Sequence, residues 1–392
     1  MKLITKTVWI LSLVSLFADI ASEMLYPVVP VYLKEIGFSI LLIGILEGVA
    51  ELTVGLSKGY FGKRSDELGF RLPFVKLGYF LSALSKPLMA ILSYPIWIFF
   101  VRTTDRLGKG VRTAARDALL SQEATIETKA RVFAFHRGWD TLGAVAGPLL
   151  ALAFLYQYPS QYTLLFYIAF IPGIISVAFI FLLKEKKKPV STITKQNFFS
   201  FLSYRKIANP QYKTLVTGLL IFALANSSDF FLLLRAKEIT QSDNSTIAAY
   251  ILYNLIYAVS SYPIGILADK IGIKKIFLFG LFLFAVVYSG FAVANSSVQV
   301  FLLFALYGIY AAATEGIAKA WLTNMAHEKN TATAIGYYSS LQSIAAFLAS
   351  LMAGVIWQWA GSQIVFWIAA SISLIAFGYL LFQKMNTSTA SH

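Results

Sequence analysis

Seven ionisable side chains crowd one stretch of this chain, RTTDRLGKGVRTAARD: Arg102, Asp105, Arg106, Lys109, Arg112, Arg116 and Asp117. On a helix their spacing places them within roughly 140° of arc, a stripe rather than a scatter. Guanidinium and ammonium groups gathered in this way suit the binding of an anion. The flanking sequence constrains where that can happen. YPIWIFFV leads into the run and ALL follows it, so the stripe belongs to an apolar helix. A charge at the centre of a bilayer costs about 2.5–3.5 kcal/mol, which excludes a stripe that faces lipid. It must line a wet cavity or be paired inside a helix bundle.

Acids stand in comparable apolar surroundings. Asp19 and Glu23 are one turn apart, with Ser12, Ser15 and Ser22 nearby and Pro27 and Pro30 expected to bend the helix. Glu47, Glu51 and Lys58 form a second stripe, Lys86 stands in the next apolar segment, and His136 shares a helical face with Asp140 beside Arg137. Burial and nearby guanidinium act in opposite directions on a carboxyl, so such acids can be poised to exchange protons. Arg102, Arg106 and Lys109 are therefore expected to bind a solute, and Asp19, Glu23, Glu47, Glu51 and Asp140 to carry protons or balance charge. Arg112 and Arg116 lie nearer one end of the segment, where ion pairs closing a gate are expected instead.

The elements that position these groups follow from composition. The 392 residues are 58% hydrophobic and only 13% charged, with a mean hydropathy of +0.68. A soluble domain carries about 25% charged residues, so an all-α membrane protein is expected. Twelve spans fit, near 6–35, 39–62, 73–93, 95–120, 131–155, 162–184, 212–236, 246–268, 274–294, 298–322, 331–355 and 362–384. The net charge of +14 collects in alternate loops, notably Lys63, Arg64 and Arg71, then Lys184 to Lys188, then Lys270, Lys274 and Lys275. The opposite loops YQYPSQY, QSDNST, NSS and QWAGSQ have no Lys or Arg. Basic loops stay in the cytoplasm, so both termini are expected there, and the charge marks topology rather than nucleic-acid binding. Lys2 and Lys6 precede an apolar run in the manner of a signal peptide, but Asp19 and Glu23 interrupt it and no cleavage site follows, so an uncleaved first span is expected. No cysteine is present, which excludes disulfides and thiolate chemistry. Paired His/Glu zinc spacing, a Gly-x-Ser-x-Gly elbow and a nucleotide-binding loop are also missing, so neither an enzyme nor an ATP-driven pump is expected, and no cofactor.

An internal repeat organises the spans. Lys34-Glu35-Ile36 recurs as Lys237-Glu238-Ile239, and Gly62, Asp66, Gly69 and Arg71 recur as Gly265, Asp269, Gly272 and Lys274, all at an offset of 203. Two matches at one offset imply two pseudo-symmetric six-helix bundles, residues 1–184 and 212–392, joined by a cytoplasmic connector over 185–211. The offset carries Glu23 onto Asn226, Glu47 onto Tyr250, Glu51 onto Asn254, Arg112 onto Glu315 and Arg116 onto Lys319. The second half thus exchanges charge for amides and phenols. Asn226, Tyr250, Asn254 and Tyr337 are expected to hold an organic body, with Glu315 as a further proton carrier or merely a partner of Lys319.

The doubled spacing Gly-x3-Asp-x2-Gly-x-Arg/Lys resembles the signature loop of the major facilitator superfamily, and the resemblance extends to length, span count and middle loop. It implies that spans one, four, seven and ten line a central cavity. It also implies gate roles for Asp66 and Arg71, with Asp269 and Lys274 as weaker counterparts. Gly143-x3-Gly147-Pro148 is similar to a family motif associated with antiporters, and equally to tight helix packing with a proline kink. Span four departs from the family, with Arg106 where a glycine is usual four residues after Arg102. The expected activity is proton-coupled secondary transport of an anionic or zwitterionic organic solute, such as a carboxylate metabolite or siderophore, across the inner membrane by alternating access. The alternative is a proton-driven efflux antiporter for multiple drugs. The partners expected are a small solute, H⁺ or Na⁺, and the lipid bilayer, for a chain acting as a monomer.

Overall fold

A computed structural model of the protein describes residues 4–185 and 197–383, except positions 27, 30, 31, 34, 35, 38, 39 and 228. The bend expected at Pro27 and Pro30, the Lys34-Glu35 copy of the repeat, the Lys-rich start of the connector and the side chain of Glu47 lie outside the described residues.

Among the described residues there is no strand. Helices α1 (Lys6–Glu23), α2 (Ile40–Glu67), α3 (Leu72–Ile91), α4 (Pro95–Gln122), α5 (Lys129–Gln157) and α6 (Tyr162–Ile180) make up the first half. The second half holds α7 (Pro210–Ala225), α8 (Phe230–Thr240), α9 (Asp243–Ile271), α10 (Ile273–Val293), α11 (Ser297–Met325), α12 (Thr331–Ala360) and α13 (Ser362–Phe382). The expected seventh span is divided: α7 stops at Ala225 and α8 resumes at Phe230, so Asn226–Asp229 break one span into two pieces. Counted this way the helices form the twelve-span architecture.

Local signals set the helix ends. Thr5 accepts from the Val8 N–H to start α1, and Asn209 Oδ1 accepts from Tyr212 N at 2.6 Å to start α7. Ser296 and Gln299 close a capping box at α11. Each satisfies an N–H that the first helical turn leaves without a partner. Eight helices are long and apolar enough to cross a membrane: α3, α5, α6, α9 to α13. Helix α4 is not among them, because the stripe that gives it chemistry also lowers its hydropathy.

The chain packs as two compact units. The first is built from Met1–Glu123, Trp139–Tyr204 and Glu328–Ser340, the second from Ala124–Gly138, Arg205–His327 and Leu341–His392. The first ten residues of α5 and of α12 therefore belong to the other unit from the rest of their helix. Within the first unit α3 packs on α4, α2 on α4, α1 on α6 and α3 on α6. Within the second the repeat-related pairs recur: α10 on α11, α9 on α11, α7 on α13 and α10 on α13. The repeat seen in sequence is thus a repeat of helix pairings.

Two glycines orient α4. A Cβ on Gly108 would lie 2.6 Å from Gly78 O of α3, and one on Gly78 would lie 2.5 Å from Gly108 O. A Cβ on Gly110 would meet the Ser57 side chain of α2 at 2.5 Å. Gly108 and Gly110 lie at the two edges of the charged stripe, so α3 and α2 close on it from either side. The apolar entry of α4 is anchored separately, with Ile98 and Val101 buried among Met89, Leu165 and Phe166.

Gly108→Val is expected to lower stability by about 1–3 kcal/mol by forcing this contact apart, read as a lower thermal-unfolding midpoint in detergent. Gly378→Ala, with nothing within 4 Å of its added methyl, should leave the midpoint unchanged. Equal behaviour of the two variants would show that the α3–α4 approach carries no special constraint.

Candidate functional site

In the first unit the α4 stripe forms a wall. Asp105 gathers two cations, Lys86 Nζ of α3 at 2.8 Å and Arg102 Nη1 at 3.7 Å. All three side chains are buried, so the cost of removing each charge from water is offset by the others. Arg106 Nη1 reaches Glu51 Oε1 of α2 at 3.7 Å, but the Glu51 side chain is 64% exposed. That pair is long and partly wet. Lys109 lies within electrostatic reach of Asp19 and Glu51, and its ammonium makes no hydrogen bond or ion pair among the described residues.

Facing this wall, α1 contributes Asp19, Ser22 and Glu23 to a small recess of about 20 Å³ that also takes in Arg102, Arg106, Lys109 and Arg112. A second recess of about 20 Å³ shares Ser22, Arg102 and Asp105, adds Ser85 and Lys86, and is completed by Leu25, Val29, Met89, Val101 and Phe166. Charged and hydrocarbon surface thus adjoin inside one unit. Of the residues expected to bind solute, Arg102, Arg106 and Lys109 are brought together here.

Further along α4 the basic groups are held by neighbouring side chains. Arg112 Nη1 donates to Ser82 Oγ at 2.6 Å and its guanidinium stacks 4.3 Å above the Tyr79 ring. Arg116 donates through Nε and Nη2 to Asp117 at 3.1 and 3.0 Å, and through Nη1 to Ser15 Oγ at 3.0 Å. Ser15 in turn donates to Asp140 of α5, which stands 3.9 Å from Arg116. The resulting network ties α1, α3, α4 and α5 together. Arg112 and Arg116 make these contacts inside the first unit.

Asp66 has other partners. Its Oδ1 accepts from Arg71 Nη2 at 2.7 Å, and its Oδ2 from Thr333 N at 2.6 Å and Thr333 Oγ1 at 2.8 Å. It therefore caps the start of α12, placing negative charge at the positive end of that helix. Burial pushes the Asp66 carboxyl up from its ordinary value against the pull of Arg71 and Thr333. Gly62 makes the approach possible, since a Cβ there would lie 2.5 Å from Ala332 O.

The repeat builds the same device in the second unit. Asp269 accepts from Ala130 N at 3.1 Å and Arg131 N at 3.2 Å, capping α5, and Gly265 allows it because a Cβ would lie 2.5 Å from Ala134 Cβ. Ala130 and Thr333 are themselves separated by the repeat offset. The cation differs. Arg131 Nε binds Asp269 at 2.5 Å, while Lys274, expected to match Arg71, donates to the carbonyls of Leu381 and Gln383 at the end of α13. The offset relates backbone positions, and the side chain that reaches a given acid depends on its own rotamer and neighbours.

The second unit replaces ion pairs with phenols. Asp229, at the break between α7 and α8, accepts from Tyr307 OH at 2.7 Å. Tyr253, Tyr288 and Tyr310 pack around Tyr307 with ring centroids 4.9, 6.3 and 5.0 Å away. Tyr250 joins through Tyr253. Asn254 turns its amide onto Tyr250 O of its own helix at 3.0 Å, and Asn226 closes α7 with its Oδ1 buried and lacking a hydrogen-bond partner among the described residues. Glu315 faces Arg137 Nη2 at 3.7 Å, and Arg137 Nε donates to Tyr257 OH at 2.6 Å. Tyr337 packs near Tyr204 in the first unit, 6.1 Å between centroids, and so stands apart from the other three. Sequence reasoning placed Ser15 near the α1 acids without a partner and did not single out Tyr79 or Ser82, since hydroxyls in a span carry no signature. It gave Asp229 no role, although a lone carboxylate in an apolar segment was the available signal.

A family model described as Major Facilitator Superfamily matches residues 11–239 and 230–391. An uncharacterized MFS-type transporter, MJ1317 of Methanocaldococcus jannaschii, is 32% identical over 385 residues, which is 97% of this chain and 95% of that protein. Among solved structures, the human organic anion transporter MFSD10 (TETRAN) superposes with a TM-score of 0.80 at 18% identity, covering 95% of this chain and 98% of that one. The E. coli fucose:proton symporter FucP gives 0.78 at 12% identity, with 97% and 98% covered. These last two likenesses are of fold.

Removal of one capping acid tests the paired device. Asp66→Asn keeps the shape but deletes the charge from α12 and from Arg71, and should cost about 1–3 kcal/mol. Asp269→Asn should act in the same direction through α5. Thermal unfolding of the purified variants measures both, and an unchanged midpoint in each would show that the caps are incidental turns.

Proposed function

The chain belongs to the Major Facilitator Superfamily, and we propose that it moves a small anionic or zwitterionic organic solute across the membrane by alternating access, driven by protons. One observation supports this reading: the α4 wall sets Arg102, Arg106 and Lys109 around a recess, and Lys109 has no hydrogen bond or ion pair among the described residues. A cation inside a membrane helix is costly, and an anionic solute lowers that cost. The adjoining recess sets Leu25, Met89 and Phe166 beside Lys86, Arg102 and Asp105, which suits a solute with both charge and hydrocarbon. Net positive charge on the wall disfavours the cationic amphiphiles that a multidrug exporter takes.

In this reading residues 1–184 and 212–392 are the two bundles and 185–211 a cytoplasmic connector. The basic loops put both termini in the cytoplasm and the protein in the inner membrane. Asp66 with Arg71, and Asp269 with Arg131, act as latches whose helix-end contacts form and break during the cycle. The interruption between Ala225 and Phe230 divides one span, as the discontinuous helices of transporters do at their binding sites.

The test is uptake by proteoliposomes of a panel of carboxylates and phosphate monoesters with an imposed pH gradient. At least one anion should accumulate faster with the gradient. Lys109→Gln should reduce its uptake about tenfold or more, the loss of one charge-assisted contact, and Lys109→Arg should retain most of it. Absence of flux for every anion, together with raised resistance to cationic drugs in a pump-deficient host, would replace this function with efflux.

A further inference from the structure

The acids inside the spans differ in what faces them. Asp105, Asp117, Asp140, Glu51 and Glu315 each have an arginine or lysine nitrogen at 3.9 Å or less. Asp19 and Glu23 share their recess with Arg102, Arg106, Lys109 and Arg112. Asp229 stands apart. Among the described residues it makes no ion pair, and its carboxylate takes one hydrogen bond, from Tyr307 OH at 2.7 Å. Asp229 precedes α8, yet its side chain caps none of the N–H groups there. The phenol that it faces is buried and packed among the buried rings of Tyr253, Tyr288 and Tyr310. The charges acting on Asp229 are Glu315 and Arg137. These two face each other at 3.7 Å, and Arg137 also donates to Tyr257 OH, so their fields at Asp229 oppose one another. Arg235, further along α8, is committed to Glu238 and to the carbonyls of Phe291, Ala292 and Ala294.

A carboxylate held this way has no cation beside it and a layer of rings around its one donor, and taking a proton removes the cost of its charge. A phenol serves both forms, because its hydroxyl donates to the carboxylate and its oxygen accepts from the carboxylic acid. We propose that Asp229, held by Tyr307, binds a proton and is the acid that couples transport to the proton gradient. The coupling rests on the transport reading above, whereas the proton site stands without it. Its place in the fold suits the task. Asp229 is only partly buried, so it is not sealed from proton exchange. It also lies where one span is interrupted between Ala225 and Phe230, at the end of α7 and the start of α8. A negative charge there is attracted to the positive start of α8, and protonation releases that attraction. The proton thereby biases how the two helical pieces meet. It is a ligand of the second unit, whereas the anion wall belongs to the first.

Infrared titration of the reconstituted full-length protein, with protons as the only ligand, tests the site. Wild type should show a component of the protonated-carboxyl stretching band that titrates as one proton and is absent in Asp229→Asn. Tyr307→Phe deletes the hydroxyl that stabilises the ionised form. In that variant the component should persist at a changed frequency, with its midpoint raised by about one pH unit, a tenfold gain in proton affinity. If Asp229→Asn fails to fold, Tyr307→Phe alone decides. A spectrum unchanged by Asp229→Asn, or a component indifferent to Tyr307→Phe, overturns the site. In the proteoliposome assay Asp229→Asn should abolish the acceleration of anion uptake by the pH gradient. Acceleration that persists in this variant overturns the coupling and leaves the transport reading standing. The infrared component without flux of any anion in the panel keeps the proton site and removes the transport reading.

Discussion

Burying charge in a membrane helix is the constraint on which the rest of this structure depends. Helix α4 carries seven ionisable groups, and each must be matched by a counter-charge, a hydrogen bond or water. The structure shows the first two directly, and a recess borders the third case. Asp105 balances Lys86 and Arg102; Ser82, Tyr79, Ser15 and Asp117 absorb Arg112 and Arg116; and Lys109 borders a recess. The groups toward the end of the helix are held by neighbours, whereas Arg106 and Lys109 have looser surroundings. Under the proposed function both properties serve transport, because an unsupported wall would shift with every solute and a fully paired wall would bind none.

The second unit solves the same problem with fewer charges. Asp229 stands at a broken helix and takes its hydrogen bond from Tyr307 within a layer of packed phenols. Phenol rings fill the interior as hydrophobes while their hydroxyls satisfy the few polar atoms. One half of the repeat has become electrostatic and the other aromatic, although their helix pairings are the same. The fold tolerates this divergence because pairing is set by small residues and backbone contact, such as Gly280 against Thr314 and Gly78 against Gly108.

The fold was legible in the sequence because its causes are collective. Hydropathy over about 20 residues, alternating basic loops and a motif doubled at one offset each average over many side chains, and none depends on a single rotamer. The α4 stripe was legible for a similar reason, since the helical period alone places Arg102, Arg106 and Lys109 on one face. Individual partners were not. Lys274 was paired with Asp269 by analogy to Arg71, yet it reaches the end of α13, and Arg131 takes its place. Asn254 has the polarity of a binding residue but turns to its own helix. Tyr337 shares a unit with Tyr204 because α12 begins in the first unit. Contacts between distant segments depend on where two helices cross, and one sequence without structure does not contain that distance.

The glycine contact between α3 and α4 has a consequence for how such proteins diversify. Because main chain against main chain sets the approach of α4 to α3, Arg106 and Lys109 are not what holds the two helices together. Arg102 is tied to the junction instead, through Asp105 and Lys86. Substitutions at Arg106 and Lys109 therefore alter the charge of the wall while the scaffold persists, so wall chemistry and architecture are inherited through largely separate residues.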